Sequence, residues 1–230
     1  MRLDKFICKS TELTRNEAKK LLKSGEVEVN GQVIKNSATQ VHENNIITLD
    51  GQVLQARSSR YIILHKPLDT ICSNVDEGYP SILHLIDVDK AFDLHIAGRL
   101  DADTTGLVLI TDDGRWSHNI ISPNKECQKI YRVQLSRPIK EELIETFTQG
   151  VQLQGEDSLT KPAILEIITQ TEVLLTITEG KYHQVKRMFA AVGNRVVGLH
   201  REQIGKIKLD PLALGEWRYL THEEVESFNS

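Results

Sequence analysis

The chain has 230 residues, 40% of them hydrophobic and 26% charged, a balance that excludes a disordered, collagen-like or coiled-coil protein and leaves room for one large domain or two smaller ones. No apolar run approaches the roughly eighteen residues a membrane span needs. The opening Met1-Arg2-Leu3-Asp4-Lys5 carries charge where a signal peptide is apolar, so a cytoplasmic location is expected.

The formal charge of −4 is uneven: residues 1–60 hold ten Lys/Arg against seven Asp/Glu, a local +3 that leaves −7 on the rest. Seven basic residues between 181 and 208 are opposed only by Glu202. Two separate basic patches suit a nucleic-acid partner better than the total suggests.

Leu3, Phe6 and Ile7 recur at i, i+3 and i+4 and open a first helix. Thr14-Arg15-Asn16-Glu17 is a capping box, Ala18, Leu21 and Leu22 form an apolar face, and Gly25 is a stop, which together predict a second helix at about 15–24. Val27 and Val29 then alternate with glutamates, Asn30-Gly31 favours a type I′ turn, Val33-Ile34 begins the return strand, and Ile46 to Leu49 runs extended into Asp50-Gly51. Arg15, Lys19 and Lys23, four apart, stand in one row on the second helix, and Arg2, Lys5 and Lys9 make a similar row on the first. One such row is an ordinary solvated face. Two adjacent rows point to phosphate contacts.

Residues 51–60 lose periodicity and predict a linker, narrowest at 56–60, between a domain at 1–55 and a larger one at 61–230. In the larger part, strand-like runs at 61–64, 107–111, 130–135, 163–168, 173–178 and 196–200 alternate irregularly with helical patterns at 139–148 and 183–192. Paired strands with short turns, such as 169–172, predict an α+β architecture on a mixed, mainly antiparallel sheet.

Neither a Walker loop nor GxGxxG occurs, and the eight histidines have no metal-ligand spacing. Cys8, Cys72 and Cys127 lack CxxC spacing, support neither disulfide nor zinc, and read as buried or incidental thiols. The densest polar segment is Gly98-Arg99-Leu100-Asp101-Ala102-Asp103-Thr104-Thr105-Gly106, ahead of an apolar run ending in Asp112-Asp113-Gly114. By spacing alone it fits a turn closed by Asp and Thr side chains at least as well as a site. Asp101 and Asp103 invite a paired-carboxylate glycosidase reading, but residues two apart in an extended chain point to opposite faces, so one at most meets a given substrate.

Residues 1–50 resemble the S4-type RNA-binding module, on Arg2-Leu3-Asp4-Lys5, Thr14-Arg15 with Ala18, Gly25-Glu26-Val27-Glu28-Val29-Asn30-Gly31 and Asn45-Ile46-Ile47. The segment from Gly98 to Leu107 resembles the signature of the bacterial pseudouridine synthases of small-subunit (16S) ribosomal RNA. Lys66-Pro67, Lys129-Ile130-Tyr131-Arg132-Val133, and Glu179-Gly180-Lys181 leading into His183-Gln184-Val185-Lys186-Arg187-Met188 agree with that family in order.

The resemblance implies isomerisation of a uridine of 16S rRNA, at position 516, to pseudouridine, in the free RNA or a small-subunit assembly intermediate. It implies neither cofactor nor metal, and no membrane or protein partner is evident. Asp101 becomes the catalytic carboxylate, able to attack C1′ or to take a proton from C2′. A carboxylate covered by a base needs a cation beside it to stay ionised, and the matching position is Lys186, where the wider family more often has arginine. Its neighbour Arg187 stands about 100° away on a helix, so one of the two faces inward; Lys186 is chosen, with Arg187 left to RNA.

Tyr131, by itself an ordinary half-core strand tyrosine, matches the ring that stacks on the extruded uracil. Arg99 is placed to reach a phosphate near the flipped nucleotide, and Arg2, Lys5, Arg15, Lys19 and Lys23 supply the N-terminal RNA contacts. Lys66 reads as a strand end before proline. Two other readings stay open: a noncatalytic RNA-binding ribosome-assembly factor, and a related synthase acting on large-subunit rRNA.

Overall fold

A computed structural model describes residues 1–229, and the chain divides into two compact units, the first ending at Ser58 and the second starting at Ser59.

The first unit contains α1 (Leu3–Ser10), α2 (Arg15–Ser24), β1 (Val27–Val29), β2 (Gln32–Val33), β3 (Ile47–Leu49) and β4 (Gln52–Val53). The strands form an antiparallel sheet in the order β2-β1-β3-β4. Both halves of the capping box form: the Thr14 hydroxyl accepts from the Glu17 amide, and the Glu17 carboxylate accepts from the Thr14 amide at 2.7 Å. Gly25 ends α2 in the left-handed region. Asn30 and Gly31 both take positive φ, 52° and 81°, as a type I′ turn requires. Leu3, Ile7, Ala18, Leu22, Val27, Val41 and Ile47 form the core.

Asp4 is fully buried and takes hydrogen bonds from Arg2 at 2.9 and 3.1 Å and from Arg15 at 3.3 Å, so the pair Asp4–Arg15 ties α1 to α2. Burial alone would raise the Asp4 carboxyl, but the two guanidinium groups outweigh it and hold it below the usual range. Lys9 departs from the expected basic row: only 8% of it is exposed. The stretch read as a linker is partly structured too. Gln52–Val53 pairs with β3, and Arg57 bonds through its amide to the Lys9 carbonyl at 2.9 Å and through its guanidinium to that of Cys8 at 3.1 Å. A two-residue strand is too short to show a period of two, so the sequence pattern missed it.

The second unit runs β5 (Tyr61–Lys66), β6 (His95–Ala97), β7 (Thr105–Thr111), α3 (Gly114–Ile121), β8 (Lys129–Leu135), α4 (Leu143–Gln149), β9 (Ile164–Ile167), β10 (Glu172–Ile177), α5 (Gln184–Ala191), β11 (Val196–Ile204), β12 (Ile207–Lys208), β13 (Trp217–Tyr219) and α6 (His222–Glu226). Its mixed sheet has the order β13-β5-β7-β11-β8-β10-β9, with β6 on β7 and β12 on β11. The β7–β11 pairing is parallel and the others are antiparallel. Cores lie on both faces: Ile62, Leu64, Val108 and Ile110 belong to one, Ile63, Leu107 and Leu109 to the other. Cover on both sides is why β5 and β7 read as continuous apolar runs rather than alternating ones. The α+β class and mixed, mainly antiparallel sheet expected from the sequence are what the chain adopts.

Helix α3 was not anticipated, because it starts at a glycine after a strand; Asp113 caps it, its carboxylate accepting from the amides of Arg115 and Trp116 at 3.1 Å each. Helix α4 starts at Leu143 rather than 139: ahead of it the Leu143 and Ile144 amides close three-residue turns on the carbonyls of Lys140 and Glu141, at 3.0 and 3.2 Å, instead of α-helical bonds. Among the described residues, no helix is long and apolar enough to cross a membrane.

Candidate active site

The polar segment 98–104 joins β6 to β7, and the strand beside it holds it in place. Lys66, the last residue of β5, is fully buried. Its ammonium donates to the carbonyls of Thr104 at 2.9 Å, Pro67 at 3.0 Å and Ala102 at 3.4 Å. Burial pushes this lysine below its ordinary range, with the charges of Asp103 and Asp101 acting the other way. The Asp69 amide bonds to the Ala102 carbonyl at 3.0 Å, and the Leu100 amide to the Cys72 sulfur at 3.3 Å. Three residues of the stretch 66–72 thus fix the backbone on either side of Asp101.

A second anchor comes from β11. Arg201 is 2% exposed; it donates to the Gly98 carbonyl at 2.7 Å, the Leu107 carbonyl at 2.9 Å and the Tyr131 hydroxyl at 3.3 Å. Its backbone lies against Gly106, where an added Cβ would stand 2.2 Å from the Arg201 carbonyl oxygen. Gly106 also has φ +119°, so glycine is required on both counts.

The two carboxylates converge. Residues 102–103 form a turn, closed by the Thr104 amide on the Asp101 carbonyl at 3.0 Å, so the opposite-faces argument for an extended chain does not apply. Lys186 of α5 places its ammonium 3.3 Å from Oδ2 of Asp101 and 2.8 and 3.0 Å from the oxygens of Asp103. Burial opposes the lysine's charge, but Asp103 and Asp101 outweigh it and raise Lys186. The hydrogen bond from Lys186 in turn holds Asp103 below the usual carboxylate range. His183, just before α5, brings Nε2 to 3.2 Å from Oδ2 of Asp101. The Asp101 side chain is 40% exposed and that of Asp103 71%, which leaves Asp101 the more sheltered carboxylate, in reach of a substrate and next to a fixed cation.

A profile of the family described as RNA pseudouridylate synthase matches residues 60–191, and one of the S4 domain matches residues 1–47. The chain belongs to the RNA pseudouridylate synthase family. It is 55% identical over 228 residues to a Vibrio cholerae protein called ribosomal small subunit pseudouridine synthase A, covering 99% of each chain. An Escherichia coli K12 protein of the same name is 51% identical over 229 residues, again with 99% of each covered. A crystal structure described as a pseudouridylate synthase superimposes with a TM-score of 0.73 at 47% identity, over 99% of both chains.

In this pseudouridylate synthase the remaining expected site residues are dispersed. Tyr131 of β8 is 9% exposed, with the Arg201 guanidinium carbon 5.8 Å from its ring centre. Arg99 is exposed within the 98–104 loop. Arg187 turns away from Asp101: it donates to the carbonyls of Gln154 at 2.7 Å and Tyr182 at 2.9 Å and pairs with Glu156 at 3.3 Å. In the first unit Arg15 and Lys23 are exposed, and Arg2, Lys5 and Lys19 are partly so. The basic run at 181–208 is not one surface patch, since Arg201 is buried and Lys181, Lys186 and Arg187 all face carboxylates.

Lys66, Arg201 and His183 are not expected site residues. Lys66 and His183 lie within the Lys66-Pro67 and 183–188 motifs, which carry a signal; Arg201, in a strand of mixed polarity, has none.

Proposed function

We infer that the chain converts a uridine of 16S rRNA, the one at position 516, to pseudouridine, acting in the cytoplasm on the RNA or on a small-subunit assembly intermediate. The observation that carries this reading is the Asp101 carboxylate, partly exposed on a loop held by Lys66 and 3.3 Å from the Lys186 ammonium.

Isomerisation breaks the N1–C1′ bond, turns the bound uracil, joins C5 to C1′ and releases the C5 proton, with no net hydrolysis or redox change. Asp101 serves by attacking C1′ or by taking the C2′ proton; either way it is regenerated. Lys186 sets a positive charge against it where a base covers the site. Tyr131 packs against the extruded uracil, and Arg201 fixes the direction of its hydroxyl. Arg99 reaches a phosphate beside the flipped nucleotide. The first unit grips RNA through Arg2, Lys5, Arg15, Lys19 and Lys23, setting affinity rather than chemistry.

The test is sequencing of pseudouridines in both large rRNAs from cells lacking the protein. Loss of one 16S site alone is the expected result. Loss from the large-subunit rRNA would reassign the substrate, and loss from neither would leave a noncatalytic RNA-binding factor.

A further inference from the structure

Tyr182 is 77% exposed, the most exposed large hydrophobic side chain among the described residues. It is nevertheless ordered by its surroundings. Its ring lies flat on the His183 imidazole, with centres 3.9 Å apart and planes 17° apart. That imidazole reaches Asp101 through Nε2 at 3.2 Å. The backbone below is tied down: Arg187 donates to the Tyr182 carbonyl at 2.9 Å, and Lys181 and Arg187 both pair with Glu156, at 3.5 and 3.3 Å. His183 takes φ +48°, a left-handed conformation that a non-glycine residue keeps only when its neighbours hold it there.

One face of the Tyr182 ring is thus covered by His183 and the other is open, one ring thickness from a group that touches the reacting carboxylate. Extruding a nucleotide from a stack leaves its neighbour with an uncovered face. An aromatic ring accepts any base, because every base has a π-face, at about 1–3 kcal/mol by alanine substitution.

We propose that Tyr182 is a stacking platform for the nucleobase flanking the target uridine, on its 5′ or its 3′ side, with His183 setting the platform's distance from Asp101. The proposal rests on the reading of this site as acting on a flipped uridine.

The experiment measures affinity and single-turnover pseudouridine formation with 16S rRNA ligated from segments, carrying either all its bases or an abasic residue at the 5′ or the 3′ neighbour of the target. On intact RNA, Tyr182→Ala is expected to weaken binding about 5- to 150-fold, and Tyr182→Phe to stay within about twofold. On RNA abasic at one flanking position, wild type and Tyr182→Ala should converge, and that position names the base. Equal affinity of Tyr182→Ala and wild type on intact RNA would overturn the platform. An equal loss on all three RNAs would do so as well, marking Tyr182 as a structural residue. If wild type binds the intact RNA yet forms no pseudouridine, the reading of the site fails and the platform with it; pseudouridine formed by wild type with no penalty for Tyr182→Ala removes the platform alone.

Discussion

Lys186 stands closer to Asp103 than to Asp101: its ammonium is 2.8 Å from the nearer oxygen of Asp103 and 3.3 Å from that of Asp101. The second carboxylate therefore acts as a tether that keeps the cation beside the first. Asp103 titrates below and Lys186 above its ordinary range. A depressed carboxyl loses its stabilising contact only as pH falls through its folded value, and a raised ammonium only as pH rises through its own. The tether is intact across the whole neutral range.

Lys186→Met should lower single-turnover chemistry about tenfold to a hundredfold while RNA affinity changes by less than about threefold, because one charge beside the carboxylate is lost and many phosphate contacts remain. Arg187→Met removes the bonds to Gln154, Tyr182 and Glu156 and should act through the 181–183 segment. Rapid-quench kinetics with parallel binding measurements separate the two; a larger chemical defect in Arg187→Met would reverse the assignment.

Lys66→Met should impair chemistry tenfold or more with little loss of RNA affinity, since three carbonyls around Asp101 lose their common donor. Its stability effect has a definite sign. Burial lowers Lys66 below the ordinary value of 10.5, so between its folded value and 10.5 the unfolded chain binds the proton more firmly and unfolding free energy rises with pH. Urea unfolding at about pH 7 and about pH 10.5, which spans the whole window below the ordinary value, should show a smaller rise in Lys66→Met than in wild type. An equal rise would mean that the lysine is not desolvated.

Gly106→Ala is expected to destabilise the second unit by more than about 3 kcal/mol or to prevent its folding, as the new methyl would collide with backbone at an unfavourable φ. Thermal unfolding of the purified variant decides it; a loss below about 1 kcal/mol would show that β7 and β11 can separate cheaply.

How far these contacts can be read from sequence depends on their span. The capping box at Thr14 and the Asn30-Gly31 turn are local, and both form where the residues place them. The segment around Asp101 was recognisable by its motif, but not its geometry: the turn at 102–103 brings two carboxylates together that an extended chain would separate. Lys66 with Thr104, and Arg201 with Leu107, join residues 38 and 94 positions apart. A lysine before proline and an arginine among polar strand residues give no local sign of burial. Charge counting failed at 181–208 for the same reason, because it cannot tell a buried or paired cation from one facing solvent.

For the first unit, Lys19→Gln with Lys23→Gln is a cleaner test than changing Arg15, which also binds Asp4. The double change should lower RNA affinity and reduce the slope of log affinity against log salt by about 0.7–0.9 per lost phosphate contact, with chemistry at saturating RNA retained. An unchanged salt slope would make this row a solvated face only.

The most direct measurement is single-turnover pseudouridine formation by Asp101→Asn on 16S rRNA, read as alkali-resistant carbodiimide adducts by primer extension, with affinity measured on the same preparation. Asp101 as the catalytic carboxylate predicts RNA affinity within about threefold of wild type and a rate at least about a thousandfold lower, with Asp103→Asn retaining more activity. Turnover by Asp101→Asn within a few-fold of wild type would contradict it.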